Sequence, residues 1–135
     1  MRAIWRSSNR GSRRFNLLSR PAIEWLFEWG YPRPLDEFDL HPKTRWIALG
    51  DDIVFWYYLI EDSCFVHICT KPGSHFVFDV RRWLAVVEFL AQVAGAKRLR
   101  ARPSCNPGDE VAGYLARLGW EPDPETGEGA MQRWV

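Results

Sequence analysis

No stretch of the 135-residue chain approaches the roughly 18 consecutive apolar residues that a membrane-spanning helix needs. The longest apolar runs are Ile53 to Ile60 and the helix-patterned Trp83 to Ala94, the second interrupted by Glu88 and Gln92, so no membrane partner is expected. Cysteine is scarce, three residues with no secretory leader before them. That excludes a disulfide framework and predicts free thiols in a reducing, cytoplasmic setting. Internal repeats and low-complexity linkers are absent, which excludes a solenoid and predicts one domain spanning 1–135. A net charge of +1 selects no class of partner by bulk electrostatics.

The charges are unevenly placed. Arg2, Arg6, Arg10, Arg13, Arg14 and Arg20 fall in the first twenty residues, where there is no acid. This reads as a short strand, Arg2 to Arg6, and a solvated loop; an organelle transit peptide and a nucleic-acid-binding arm are the alternatives. After the loop, Pro21 suits a first helical position with Ser19 or Arg20 as cap, and Gly30 stops the helix. Ile23, Leu26 and Phe27 are predicted to face the core. The Tyr31-Pro32-Arg33-Pro34 stretch cannot be helical and leads into an irregular acidic segment ending near Pro42.

From Arg45 the pattern changes to three runs rich in β-branched and aromatic residues, Arg45 to Leu49, Ile53 to Ile60 and Cys64 to Thr70. Gly50-Asp51-Asp52 and Glu61-Asp62-Ser63 separate them as turns, which predicts an antiparallel meander. The middle run has no polar alternation and should be covered on both faces. A helix from Val80 to Ala94, capped by Asp79 and stopped by Gly95, supplies one cover. There follow a strand Lys97 to Arg102, a helix opened by Asn106 and Pro107 and closed by Gly119, and a last strand Ala130 to Val135.

This order, together with the ending Asn106…Tyr114-Leu115-Ala116-Arg117-Leu118-Gly119-Trp120, resembles the GNAT superfamily of acetyl-CoA-dependent N-acetyltransferases. The resemblance implies an α+β fold with a central mixed, mostly antiparallel sheet flanked by helices. It also implies acetyl-CoA as cofactor, if the chain is active, held by a Gly-rich loop before the long helix. Here that loop reads Thr70-Lys71-Pro72-Gly73-Ser74-His75-Phe76-Val77-Phe78-Asp79, with one glycine, a proline that removes a donor and an Asp at the helix start that would repel a second anion. Lys71, Gly73, Ser74, His75 and Asn106 are the residues left to contact a cofactor. The family's general-acid Tyr maps to Leu115, with Tyr114 one residue and about 100° away on the helix. With both signatures altered, the chain looks like a degenerate member that works by binding, similar to small acetyltransferase-like proteins of phage virions and morphogenesis; an active N-acetyltransferase with a modified loop is the alternative. A phage origin would put it in the host cytoplasm or the virion.

Among individual residues, His67 is the general-base candidate and Tyr114 the acid candidate. Cys64 points opposite to His67 and Cys69 on a strand, so no metal site is expected. Asp51, Asp52, Glu61 and Asp62 read as turn formers. Arg98, Arg100 and Arg102 share one strand face, suited to phosphate, nucleic acid or an acidic partner. Trp25 and Trp29, rimmed by Glu24 and Glu28 and apart from the predicted core stripe, suggest a surface for a protein partner or self-association; a satellite cluster under Tyr31 to Pro34 is the other reading.

Overall fold

A computed structural model describes residues 14–74, 77–101, 108–127 and 129–135, with backbone only at 77–80 and 108–112. The predicted strand Arg2 to Arg6, most of the arginine-rich start, and His75, Arg102, Cys105 and Asn106 lie outside the described residues. The elements in order are β1 (Phe15–Leu18), α1 (Ile23–Glu28), β2 (Arg45–Leu49), β3 (Ile53–Ile60), β4 (Ser63–Thr70), α2 (Val77–Val93), β5 (Arg98–Ala101), α3 (Gly108–Arg117), β6 (Glu121–Pro122) and β7 (Met131–Trp134).

The strands form one sheet in the order β1-β2-β3-β4-β5-β7-β6. Neighbours run antiparallel except β4 and β5, which pair in parallel and are joined by α2 as a crossover. The meander stands where the β-branched and aromatic runs put it, with Ser63 added to the start of β4 because it pairs with Ile60. That pairing leaves only Glu61 and Asp62 in the turn, and Glu61 adopts a left-handed φ of 54° that a two-residue hairpin requires.

β3 is the keel of the sheet. Ile53 to Trp56 are at most 1 % exposed, because one face carries a helix and the other carries an irregular segment. On the first face Ile53 and Phe55 join Cys64, Val66 and Leu99 under Trp83 and Val87 of α2 and Tyr114 and Leu115 of α3, with Phe55 stacked on Trp83 at 3.6 Å between ring centroids. On the second face Val54, Trp56 and Cys69 meet Trp46, Leu26 and Trp29. The second half of β3 is less covered, and Leu59 is exposed.

Several expectations need correction. β1 falls in the predicted loop; it forms because Phe15–Leu18 adds to the open edge of β2. α1 begins after Ala22, with no side-chain cap from Ser19 or Arg20. Its facing is as expected only at Leu26, which is buried; Trp29, the residue that ends the helix, is buried as well, whereas Ile23 is half exposed and Phe27 is 89 % exposed. A helix of fewer than two turns has little stripe of its own, and turning the larger indole surfaces inward removes more apolar area from water. α2 starts at Val77, so Asp79 lies inside its first turn and is not the cap. Its end follows expectation: the Ala96 N–H bonds the Ala91 carbonyl across Gly95, which has φ 87°. Ala94 is exposed, and Ala96 is the residue buried there.

Candidate functional site

Pro32 and Pro34 hold the chain after α1 extended, and residues 31–44 cross the second face of the sheet without regular structure. A segment with no ladder must satisfy its polar groups locally. Asp36 does so by accepting the N–H groups of Phe38 and Asp39 on Oδ1, both at 2.9 Å. The turn drives Asp39 inward until its side chain is completely buried.

Asp39 is the hub of the site. Its Oδ1 accepts the indole N–H of Trp56 at 2.7 Å and a guanidinium N–H of Arg33 at 3.4 Å. Its Oδ2 accepts the Asp36 N–H at 2.9 Å and the second Arg33 nitrogen at 3.1 Å, and its backbone carbonyl accepts the Trp46 indole at 3.2 Å. Burial by itself would raise the Asp39 pKa; the bonds from Asp36, Trp56 and Arg33 outweigh it and hold the carboxyl below its ordinary range. Arg33 is held charged even though burial opposes it, through Tyr31 and Asp39.

His67 of β4 sits beside this pair, almost buried, stacked on Trp56 and Tyr58. Its Nδ1 lies 3.4 Å from an Arg33 nitrogen and its Nε2 lies 3.0 Å from the Tyr58 hydroxyl and 3.8 Å from Asp39 Oδ1. Arg33 can only donate, so Nδ1 accepts and the neutral ring carries its proton on Nε2, donating to Tyr58. Both ring nitrogens are then engaged within the site. Burial pushes the Tyr58 hydroxyl well above its ordinary pKa, with Asp39 adding to the shift, so it stays a neutral phenol.

An open cleft of about 360 Å³ lies over His67, between the 33–38 segment and the 123–127 turn. Its floor is a run of stacked rings, Phe38 on Tyr58 on Phe65. At the far wall Arg100 is buried and bonds Asp123 through two nitrogens at 2.8 and 2.9 Å and Glu125 at 2.9 Å. Hydrogen bonds from Arg100 bring the Asp123 pKa down to about 2 against the opposing effect of burial, with Thr126 assisting. Arg98 shares Glu125 at 3.0 Å and bonds Gln132. Arg98 and Arg100 do lie on one strand face, but internal acceptors already engage both guanidinium groups. The exposed charges at the rim are carboxylates: the Asp36 side chain is 47 % exposed and that of Glu125 69 %.

The other sequence candidates are not brought to this cleft. Tyr114 is buried in the core on the α2 side of the sheet, whereas His67 faces the opposite side, so the two do not form an acid–base pair across one site. Cys64 and Cys69 also face opposite sides, and burial pushes the Cys64 thiol up to about 12. Among the described residues no cluster of His, Cys, Asp or Glu could hold a metal ion, and no helix is long and apolar enough to cross a membrane. Trp25 and Trp29 stack at 5.2 Å, but Trp29 is buried and Trp25 packs against the same cluster with Tyr31 and Leu35, the satellite arrangement. In the loop before α2, the Lys71 N–H is bonded to the Asp52 carbonyl at 2.7 Å and the Ser74 N–H to the Lys71 carbonyl at 3.0 Å. Pro72 has no N–H, so of the described part of this loop only the Gly73 N–H is left to meet a phosphate. Residues 71–74 do not fit a pyrophosphate cradle of the family's kind.

Arg33, Asp39, Tyr58, Asp123 and Glu125 were not singled out by sequence reasoning. The Asp36-x-x-Asp39 spacing after two prolines marks a turn, but nothing local says that the second acid is buried.

No family model matches the sequence, and no curated protein matches it. Among solved structures, the GNAT domain of S. lividans PAT is similar, with a TM-score of 0.53 at 12 % identity over 86 % of this chain and 70 % of that one. The chain has a GNAT fold.

Proposed function

We propose, starting from that GNAT fold, that this protein works by binding and not by acyl transfer, with the cleft over His67 as its recognition site. The observation that carries the reading is the loop at residues 71–74, where the N–H groups of Lys71 and Ser74 are taken by backbone carbonyls. The engaged nitrogens of His67 and the separation of Tyr114 from it support the same reading.

An aromatic floor in a site where the carboxylates of Asp36, Asp39, Asp123 and Glu125 outnumber the guanidinium groups of Arg33, Arg98 and Arg100 favours a cationic group such as an amine or a basic side chain of a partner protein. A role in phage-particle assembly is one form of this reading, suggested by the architectural resemblance. The same preference for a cation favours a second reading, an N-acetyltransferase whose acceptor is an amine and whose cofactor contacts lie elsewhere.

Thermal unfolding with acetyl-CoA separates the two. A cofactor present at 100 times its Kd stabilises the folded state by about 2.7 kcal/mol. We expect no shift in Tm at millimolar acetyl-CoA, and a shift with a polyamine or Lys-rich peptide that is lost in Asp36→Asn/Glu125→Gln. A cofactor-dependent shift accompanied by turnover of an amine would overturn the binding reading.

A further inference from the structure

Helix α2 has a second apolar face. Trp83, Leu84, Val87 and Ala91 face the core, yet Val86, Phe89, Leu90 and Val93 are exposed at the i, i+3, i+4, i+7 spacing of one stripe. At 100° per residue this stripe lies on one flank of the helix, and Arg81, Glu88 and Gln92 lie on the other. Glu88 contacts Arg133 of β7, so the polar flank looks toward that edge of the sheet. The apolar flank looks toward β1, where the Arg82 guanidinium sits over the Phe15 ring at 5.3 Å.

The strand edge there is bare as well. Phe15 and Leu17 pair with Leu49 and Ile47, whose side chains belong to the α2 side, so both project onto the same face of the sheet. Leu17 is 71 % exposed and Phe15 38 %. Helix flank and strand edge thus line one apolar trough, crossed at its β1 end by the Arg82 guanidinium.

We propose that this trough is a self-association surface, occupied by the same trough of a second copy of this chain. Two observations select a copy as occupant. First, the exposed parts of Phe15, Leu17, Val86, Phe89, Leu90 and Val93 come to roughly 600 Å², as large as the largest apolar patch of a typical monomer. Two such patches facing each other bury about 1,200 Å², the lower bound of a stable interface. Second, the stripe is symmetric about Phe89 and Leu90, so an antiparallel pair of α2 helices sets each Val86 against the copy's Val93 and each Phe89 against the copy's Leu90 on either side of the dyad, as an isologous contact demands. This surface replaces Trp25 and Trp29, whose rings pack inside the molecule.

The test is sedimentation equilibrium of the whole chain from 1 to 100 µM, with Phe89→Glu and, in a Cys105→Ser background, Phe89→Cys and Gln92→Cys. We expect a reversible dimer in the native chain. Phe89→Glu should weaken it by about 30-fold or more, as loss of a central hot spot does, with circular dichroism and Tm unchanged. Mild oxidation should cross-link Phe89→Cys and not Gln92→Cys. A native chain monomeric at 100 µM overturns the proposal, as does a dimer that survives Phe89→Glu. If the native chain is monomeric and Phe89→Glu lowers Tm, the trough is covered from within the chain. If Gln92→Cys cross-links and Phe89→Cys does not, the dimer uses another face, which also refutes the proposal.

Discussion

Replacing Asp39 by Asn changes one atom in the most buried polar group of the site, and its consequence follows from counting donors. Oδ1 receives Trp56 and Arg33, and Oδ2 receives Asp36 and Arg33. Whichever way the amide is turned, its NH2 faces two N–H groups, so one rotamer breaks the Trp56 bond and the other breaks the Asp36 bond. The Arg33 guanidinium, 19 % exposed, also loses the carboxylate that meets both its terminal nitrogens and keeps Asp36 at 3.6 Å on one of them. Removing one partner of a buried ion pair costs about 3–5 kcal/mol, a large part of the total stability of about 5–15 kcal/mol expected of such a domain. With a urea slope near 2 kcal/mol/M, the midpoint of unfolding should fall by about 2 M. Arg33→Leu in the Asp39→Asn background removes a charge left with only the half-exposed Asp36 beside it, so the double variant should be more stable than additivity predicts by about 2 kcal/mol. A loss below about 1 kcal/mol for Asp39→Asn, or strict additivity in the cycle, would refute the view that Asp39 anchors the segment carrying Arg33 and Phe38 to the sheet.

Acid should unfold the protein through the same class of group. Asp123 has a folded pKa of about 2 against about 3.9 for an unfolded Asp, and Asp39 is lowered as well. A lowered folded value means stability that is complete above pH 4 and drains away as the pH falls toward 2, about 2 kcal/mol for Asp123 alone. Unfolding free energies measured across that window should show this slope, and Asp123→Asn should flatten it; an unchanged slope would mean that Arg100 does not hold the carboxylate. On α1, Trp29→Ala should cost about 3–5 kcal/mol because it opens a cavity over Trp46 and Trp56. Phe27→Ala, at 89 % exposure, should cost less than about 0.5 kcal/mol. Equal Tm values for the two variants would show that the facing of α1 is misassigned.

The sequence by itself determined whatever depends on neighbours a few residues apart. The meander of β2 to β4 was legible because eight consecutive apolar residues bounded by acidic turns suit a strand, and the lack of alternation pointed to two-faced burial, which holds for Ile53 to Trp56 and not for the second half of β3. The stop of α2 at Gly95 and that of α3 at Gly119 were legible because a left-handed residue is a local requirement. The opposite facing of Cys64 and His67 came from strand parity alone.

The tertiary structure decided what depends on distant surfaces competing for the same water-free space. Nothing within α1 ranks Trp29 above Phe27 as the buried ring; the indole pair Trp46 and Trp56 across the sheet does. Arg100 reads as an exposed strand arginine until Asp123 and Glu125 arrive from a turn more than twenty residues later in the chain. Asp39 is the sharpest case. A lone Asp in an acidic loop is ordinarily solvated, and it becomes the centre of the site only because Trp56, Arg33 and the Asp36 amide converge on it. Short-range pattern fixes conformation because backbone sterics and hydrogen bonds act over a few residues. The state of a titratable side chain depends on which donors and how little water surround it, and only the folded chain sets those.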